Sequence, residues 1–118
     1  SALHTAYLSI GLKNDDEVIT SPISFVATSN MIIQANAKPI FVDVKLDGNI
    51  DEKQIEKAIT SKTKAIVPVH FSGNICNMDS IIKLAKKYNL FVIEDSAHAL
   101  GSHIGKKYAG TFGDIGIF

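Results

Sequence analysis

Apolar and polar positions along the chain alternate between helix-period and strand-period stretches. Ala2 to Ile10 reads as a helix closed by Gly11 as a C-cap. Val18-Ile19-Thr20 is a short strand stopped by Ser21-Pro22. Val26 to Asn36 predicts a second helix, with Met31, Ile32 and Ala35 at helical spacing. Pro39 leads into the apolar strand Ile40–Val44, Leu46 to Asn49 is a turn, and Asp51 is placed to cap a helix from Glu52 to Ile59. Ala65–His70 is the next strand and Phe71–Asn74 a loop. Met78 to Tyr88 is a helix with Ile81, Ile82, Leu84 and Ala85 turned inward and Lys83, Lys86 and Lys87 outward. Leu90–Ile93 is a fourth strand ending at Glu94-Asp95. A stretch of small residues, a hairpin marked by Gly101, Gly105 and Gly110, and a strand from Ile115 to Phe118 complete the pattern. Near-continuously apolar strands separated by helices predict an α/β fold, a mostly parallel sheet with helices on both faces.

Composition narrows the partners. The chain has 118 residues, 46% hydrophobic and 20% charged, enough for one domain's core. Twelve basic side chains balance twelve acidic ones, which removes the electrostatic case for a nucleic-acid or anionic-membrane partner. No apolar run approaches the roughly 20 residues that span a bilayer. Cys76 is the single cysteine, so no internal disulfide forms and a cytoplasmic setting is expected. No metal ligand is assigned. The chain opens in what reads as a helix in progress, Ser1 to Leu8, without Met, and stops inside a strand at Phe118. The expectation is a piece of a longer protein.

Ligands of open α/β sheets bind beyond the carboxyl ends of the strands. The polar and aromatic residues there are Ser24, Phe25, His70, Asp95 and His98, with Asp114 just before the last strand. Asp95 ends a buried apolar strand, where a carboxylate is costly to desolvate without a cation or several donors. It either caps the turn that follows or partners a protonated heteroaromatic nitrogen. His98, three residues on, is either a structural histidine or a group that bonds a phenolic oxygen and acts on protons near it. His70 carries the same two readings. Phe25 is either core or a ring stacked on a flat ligand. Ser1 stands at a helix N-terminus, where backbone N–H groups favour a phosphate. No G-x-G-x-x-G or P-loop word follows a strand, so a nicotinamide or nucleoside-triphosphate site lacks its central feature.

Read as words, these positions stop being independent. Asp16–Pro22, Ser24–Asn30, Ala37–Val44, Thr63–Gly73 and above all Val92-Ile93-Glu94-Asp95-Ser96-Ala97-His98-Ala99-Leu100-Gly101 resemble the DegT/DnrJ/EryC1/StrS family of pyridoxal-phosphate sugar aminotransferases. Gly113–Phe118 follows at the family's distance, and the match runs nearly the whole chain in order. The resemblance implies the large domain of the aspartate-aminotransferase-like fold, with residues 1–118 a partial cofactor-binding domain and the small carboxyl-terminal domain absent. It implies that Asp95 pairs with the cofactor's pyridine nitrogen, and that His98 is catalytic and lies beside the ring and its phenolic oxygen. Phe25 stacks on the ring, and Ser1 and Ala2 form part of the phosphate cradle. The lysine that joins the cofactor covalently belongs beyond Phe118.

The implied activity of the parent protein moves an amino group, usually from glutamate, to a keto group on a nucleotide-linked sugar. The Val69–Gly73 and Ser96–Ala99 words lean toward C4 of a UDP-linked sugar used for surface glycans. The family implies a homodimer with the site at its interface. Two alternatives remain open in the sequence: a sugar dehydratase on the same scaffold, with histidine in place of the lysine, and a non-catalytic ligand-binding α/β module.

Overall fold

Three of the four helices end by one device. The computed structural model describes residues 1–118, with α1 at Ala2–Ser9, α2 at Ala27–Gln34, α3 at Glu52–Ala58 and α4 at Met78–Tyr88. After α1, α2 and α4 the chain enters left-handed backbone, at Gly11 (φ 68°), Asn36 (φ 61°) and Asn89 (φ 54°). The N–H of that residue returns to the carbonyl three residues back: Gly11 to Leu8 at 3.0 Å, Asn36 to Ile33 at 2.9 Å and Asn89 to Lys86 at 3.4 Å. The next N–H returns five back: Leu12 to Tyr7 at 3.3 Å, Ala37 to Ile32 at 3.1 Å and Leu90 to Ala85 at 2.8 Å. This is the Schellman arrangement, which satisfies orphan carbonyls and turns the chain sharply toward the next strand. At α3 the start is the fixed end, where Asp51 accepts from the N–H of Lys53 at 3.1 Å.

The strands β1 (Glu17–Thr20), β2 (Lys38–Phe41), β3 (Thr63–Val67), β4 (Phe91–Asp95) and β7 (Ile115–Ile117) form one sheet in the order β2-β1-β3-β4-β7. Every pairing in it is parallel. Alternate residues of each strand feed opposite cores. Val18, Ala65, Val67 and Ile93 pack with Tyr7 of α1, Ile32 of α2 and Ala35 just after it. Ile19, Ile66 and Val92 pack with Ile55, Ile81 and Ala85 of α3 and α4. The sheet is therefore covered on both faces, the three-layer arrangement the apolar strands predicted. A two-stranded antiparallel hairpin, β5 (His103–Ile104) and β6 (Lys107–Tyr108), stands apart from it.

Two strands differ from the sequence reading by more than one residue at an end, each for a local reason. The second strand was expected over Ile40–Val44 but β2 runs Lys38–Phe41. Val44 instead bridges antiparallel to Ile50 across the Lys45–Asn49 turn, and Lys45 N–H closes that turn on Asn49 at 2.8 Å. The third was expected to reach His70 but its continuous ladder ends at Val67, because Pro68 has no N–H to donate. The Pro68 carbonyl still accepts from Asp95 N–H at 2.9 Å, and the His70 N–H donates to the Asp95 carbonyl at 3.1 Å, so β3 and β4 stay in register to the end of β4.

The last edge of the sheet is held by a side chain. Glu94, fully buried in β4, accepts from the N–H groups of Phe112 and Gly113 at 2.6 Å each and of Gly110 at 2.9 Å. It thereby fastens the loop that delivers β7. Gly116 of β7 passes so close to this loop that a Cβ there would meet the Gly110 carbonyl oxygen.

Candidate functional site

At the carboxyl ends of β1, β3, β4 and β7, on the side covered by α1 and α2, the chain encloses a cavity of about 320 Å³. Ser1, just before α1, and Ala2 and Leu3 of α1 line one side. Ser24, Phe25, Thr28 and Met31 line another. Val69, Asp95, Ala97 and His98 lie beyond the ends of β3 and β4, and Ile117 and Phe118 close the β7 side. All five residues expected at a cofactor, Ser1, Ala2, Phe25, Asp95 and His98, are thus brought to one cavity from separate parts of the chain. Its size lies within the range of about 300–1,000 Å³ usual for small-molecule sites.

Asp95 lies at the cavity's inner end, 6% exposed. Its Oδ2 accepts from the hydroxyl of Thr28 at 2.7 Å and its Oδ1 from the N–H of Ala97 at 3.3 Å. The turn-capping reading is therefore met, but by a long bond only. A carboxylate has about four acceptor positions, so this one keeps capacity for a further donor. Thr28 is itself buried and receives the hydroxyl of Ser24 at 2.8 Å. A carboxylate only accepts, so the Thr28 proton goes to Asp95 and the Ser24 proton to Thr28, a one-way chain. Tyr7, fully buried in α1, donates its hydroxyl to the Thr28 carbonyl at 3.0 Å. Burial, and after it the Asp95 charge, raises the Tyr7 phenol well above its ordinary range, so Tyr7 acts as a neutral donor.

Phe25 is 74% exposed and presents its ring to the cavity, which sets aside the core reading. His98 is exposed, lines the cavity and meets Phe71 edge-on with ring centroids 6.5 Å apart. Ser1 precedes α1 and makes no side-chain cap bond. The first N–H groups of a helix have no carbonyl one turn back, so the end of α1 at the cavity presents donors to an anion.

Two other candidates lie elsewhere. His70 is fully buried and outside the cavity. Its Nδ1 accepts from Cys76 N–H at 3.2 Å, so the ring carries its proton on Nε2 and donates it to Glu94 at 2.9 Å. Burial would push the Glu94 carboxyl up, but His70 and the backbone donors outweigh it and hold it below the usual glutamate range. Asp114 sits at the opposite end of β7, where it accepts from Val92 N–H at 2.8 Å. Thr28, Tyr7 and Glu94 were not singled out in the sequence. Thr28 did carry a signal, since it shares the buried face of α2 with Ile32 and Ala35, where a hydroxyl needs a partner.

The family model of the DegT/DnrJ/EryC1/StrS aminotransferases matches residues 1–118. The chain belongs to this family. GDP-perosamine synthase of Escherichia coli O157:H7 is 48% identical over 118 residues, 99% of this chain and 32% of that protein. Helicobacter pylori PseC, an aminotransferase involved in the biosynthesis of pseudoaminic acid, superposes with a TM-score of 0.89 at 46% identity, covering 95% of this chain and 31% of PseC. Bacillus subtilis NtdA, solved with bound cofactor PMP, gives a TM-score of 0.86 at 40% identity, covering 92% of this chain and 25% of NtdA. The mostly parallel, helix-covered sheet is thus the fold of solved aminotransferases such as PseC. The chain spans 31–32% of the length of curated relatives it matches.

Proposed function

We propose that residues 1–118 are the cofactor-binding part of a pyridoxal-phosphate aminotransferase acting on a nucleotide-linked keto sugar. The observation that carries this reading is the Asp95 carboxylate, buried at the inner end of the cavity with acceptor capacity to spare. The cavity suits the cofactor on three further counts: the exposed ring of Phe25, the N-terminus of α1, and His98 at the rim. When bound, pyridoxal phosphate supplies an electron sink for charge that develops on the amino-bearing carbon.

The chain's own residues hold that group and set its charge. The Asp95 carboxylate keeps a proton on the ring nitrogen, which a desolvated neutral residue could not do. Phe25 covers one face of the ring and excludes water from it. Ser1 and Ala2, with the open N–H groups of α1, take the phosphate. His98 bonds the phenolic oxygen and moves protons near it. The proton at the substrate carbon falls to a lysine outside these residues.

In the same proposal the parent protein is a cytoplasmic homodimer that takes glutamate as amino donor and serves surface polysaccharide synthesis. The substrate is a UDP-linked 4-keto sugar. No helix here is long and apolar enough to cross a membrane, and the buried free thiol of Cys76 suits a reducing compartment.

The test uses the full-length protein, incubated with pyridoxal phosphate and reduced with borohydride, alongside Asp95→Asn. One phosphopyridoxyl adduct per chain is expected by intact mass. Glutamate should convert the unreduced protein to its amino form in the wild type, and at least about 100-fold more slowly in Asp95→Asn. Absence of any adduct would move the reading to the dehydratase or to the non-catalytic ligand-binding module. Undiminished conversion in Asp95→Asn would take Asp95 out of this role.

A further inference from the structure

We propose that Thr28 is a positioning residue that fixes which oxygen of Asp95 faces the cofactor, and that Ser24 reinforces it. This rests on the assignment of Asp95 to the ring nitrogen.

A carboxylate with both oxygens free can turn about its last torsion, and that torsion is broad for aspartate. A ring N–H needs one oxygen held in line. At Asp95 the two oxygens are unequal. Oδ2 is committed to the buried Thr28 hydroxyl at 2.7 Å, a distance typical of a strong charge-assisted bond. Oδ1 has only the 3.3 Å bond from Ala97 N–H and is left for the ligand. The Thr28 hydroxyl cannot turn away cheaply, because its oxygen is engaged by Ser24 at 2.8 Å and the residue is 1% exposed.

The backbone at Thr28 is held as well. Its carbonyl receives the Tyr7 hydroxyl at 3.0 Å, which joins α2 to α1. One residue therefore relates the carboxylate at the cavity's inner end to the helix whose N-terminus lines its side. Thr28 makes no bond to a reacting atom in this account. It acts through Asp95.

The experiment uses full-length protein stripped of cofactor and titrated with pyridoxal phosphate labelled with 15N at the ring nitrogen. The readouts are the dissociation constant and the ring-nitrogen resonance, neither of which depends on turnover. Thr28→Val keeps the shape and removes the donor. It is expected to weaken binding about tenfold, the worth of one hydrogen bond, and to move the resonance toward the unprotonated position. Thr28→Ser should restore both. Ser24→Ala, at a half-buried site, should move the resonance the same way by less, and it decides the matter if Thr28→Val fails to fold. Asp95→Asn is the control for the underlying assignment. A wild-type resonance in Thr28→Val, or in Ser24→Ala where the valine variant is unfolded, together with a shifted one in Asp95→Asn, would overturn the role of Thr28 and leave Asp95 in place. An unshifted resonance in Asp95→Asn would remove both.

Discussion

Buried acids in this chain divide by what they accept from. Asp95 keeps a spare position toward the cavity, whereas Glu94, the next residue back, is saturated by three backbone N–H groups and the His70 ring. That saturation makes Glu94 a stability element with a definite pH sign. Its folded pKa lies below the ordinary glutamate value. The stabilisation is therefore complete above the unfolded pKa, about 4.3, and is lost as pH falls through the folded one. Glu94→Gln replaces one acceptor oxygen by an NH₂ that faces donors. It should cost about 3 kcal/mol at neutral pH. Urea unfolding measured from pH 7 to 3 checks both parts: the wild type should lose stability more steeply than the variant at the acid end. Parallel slopes would mean that Glu94 is not the titrating group.

At the scale of elements, the positive-φ residues explain why some boundaries were readable and others were not. Gly11 is legible because glycine is the usual left-handed residue. Asn36 and Asn89 do the same job at φ 61° and 54°, but asparagine is ordinary enough in sequence that the second helix was carried through to Asn36. Pro68 and Val44 misled in the other direction. Each extends an apolar run, yet one lacks a donor and the other is recruited across a turn, facts set by hydrogen bonding and not by hydrophobicity. If the left-handed backbone at Asn89 matters as the geometry implies, Asn89→Ala should lower stability by about 1 kcal/mol, while Asn89→Gly should be neutral or better. Chemical denaturation of both variants tests the pair. Equal losses would point to the asparagine side chain instead of the backbone.

The whole molecule is a sheet between two cores, and that arrangement decides how much of the site the sequence could show. Asp95 and Phe25 were legible because strand ends of a parallel sheet converge, so the last residue of β4 and the residues following β1 fall on one edge. The bond from Thr28 to Asp95 spans 67 positions and depends on the crossing of α2 over that edge, which periodicity does not encode. The same layering supplies a reporter. Cys76 lies in the core on the α3 and α4 face, away from the cavity. Its Sγ donates to the Val69 carbonyl at 3.2 Å, and burial pushes the thiol up to about 12. The thiolate is the reactive form, so alkylation near neutral pH requires the core to open. Labelling of Cys76 in the full-length protein should therefore be slow and should accelerate in Glu94→Gln in step with its loss of stability. It should slow when pyridoxal phosphate fills the opposite layer, by the factor one plus ligand concentration over dissociation constant, because the ligand binds the folded state alone. A rate indifferent to both the variant and the cofactor would show that the segment from Phe71 to Met78 opens by itself. The two layers would then be separate cooperative units, although one sheet joins them.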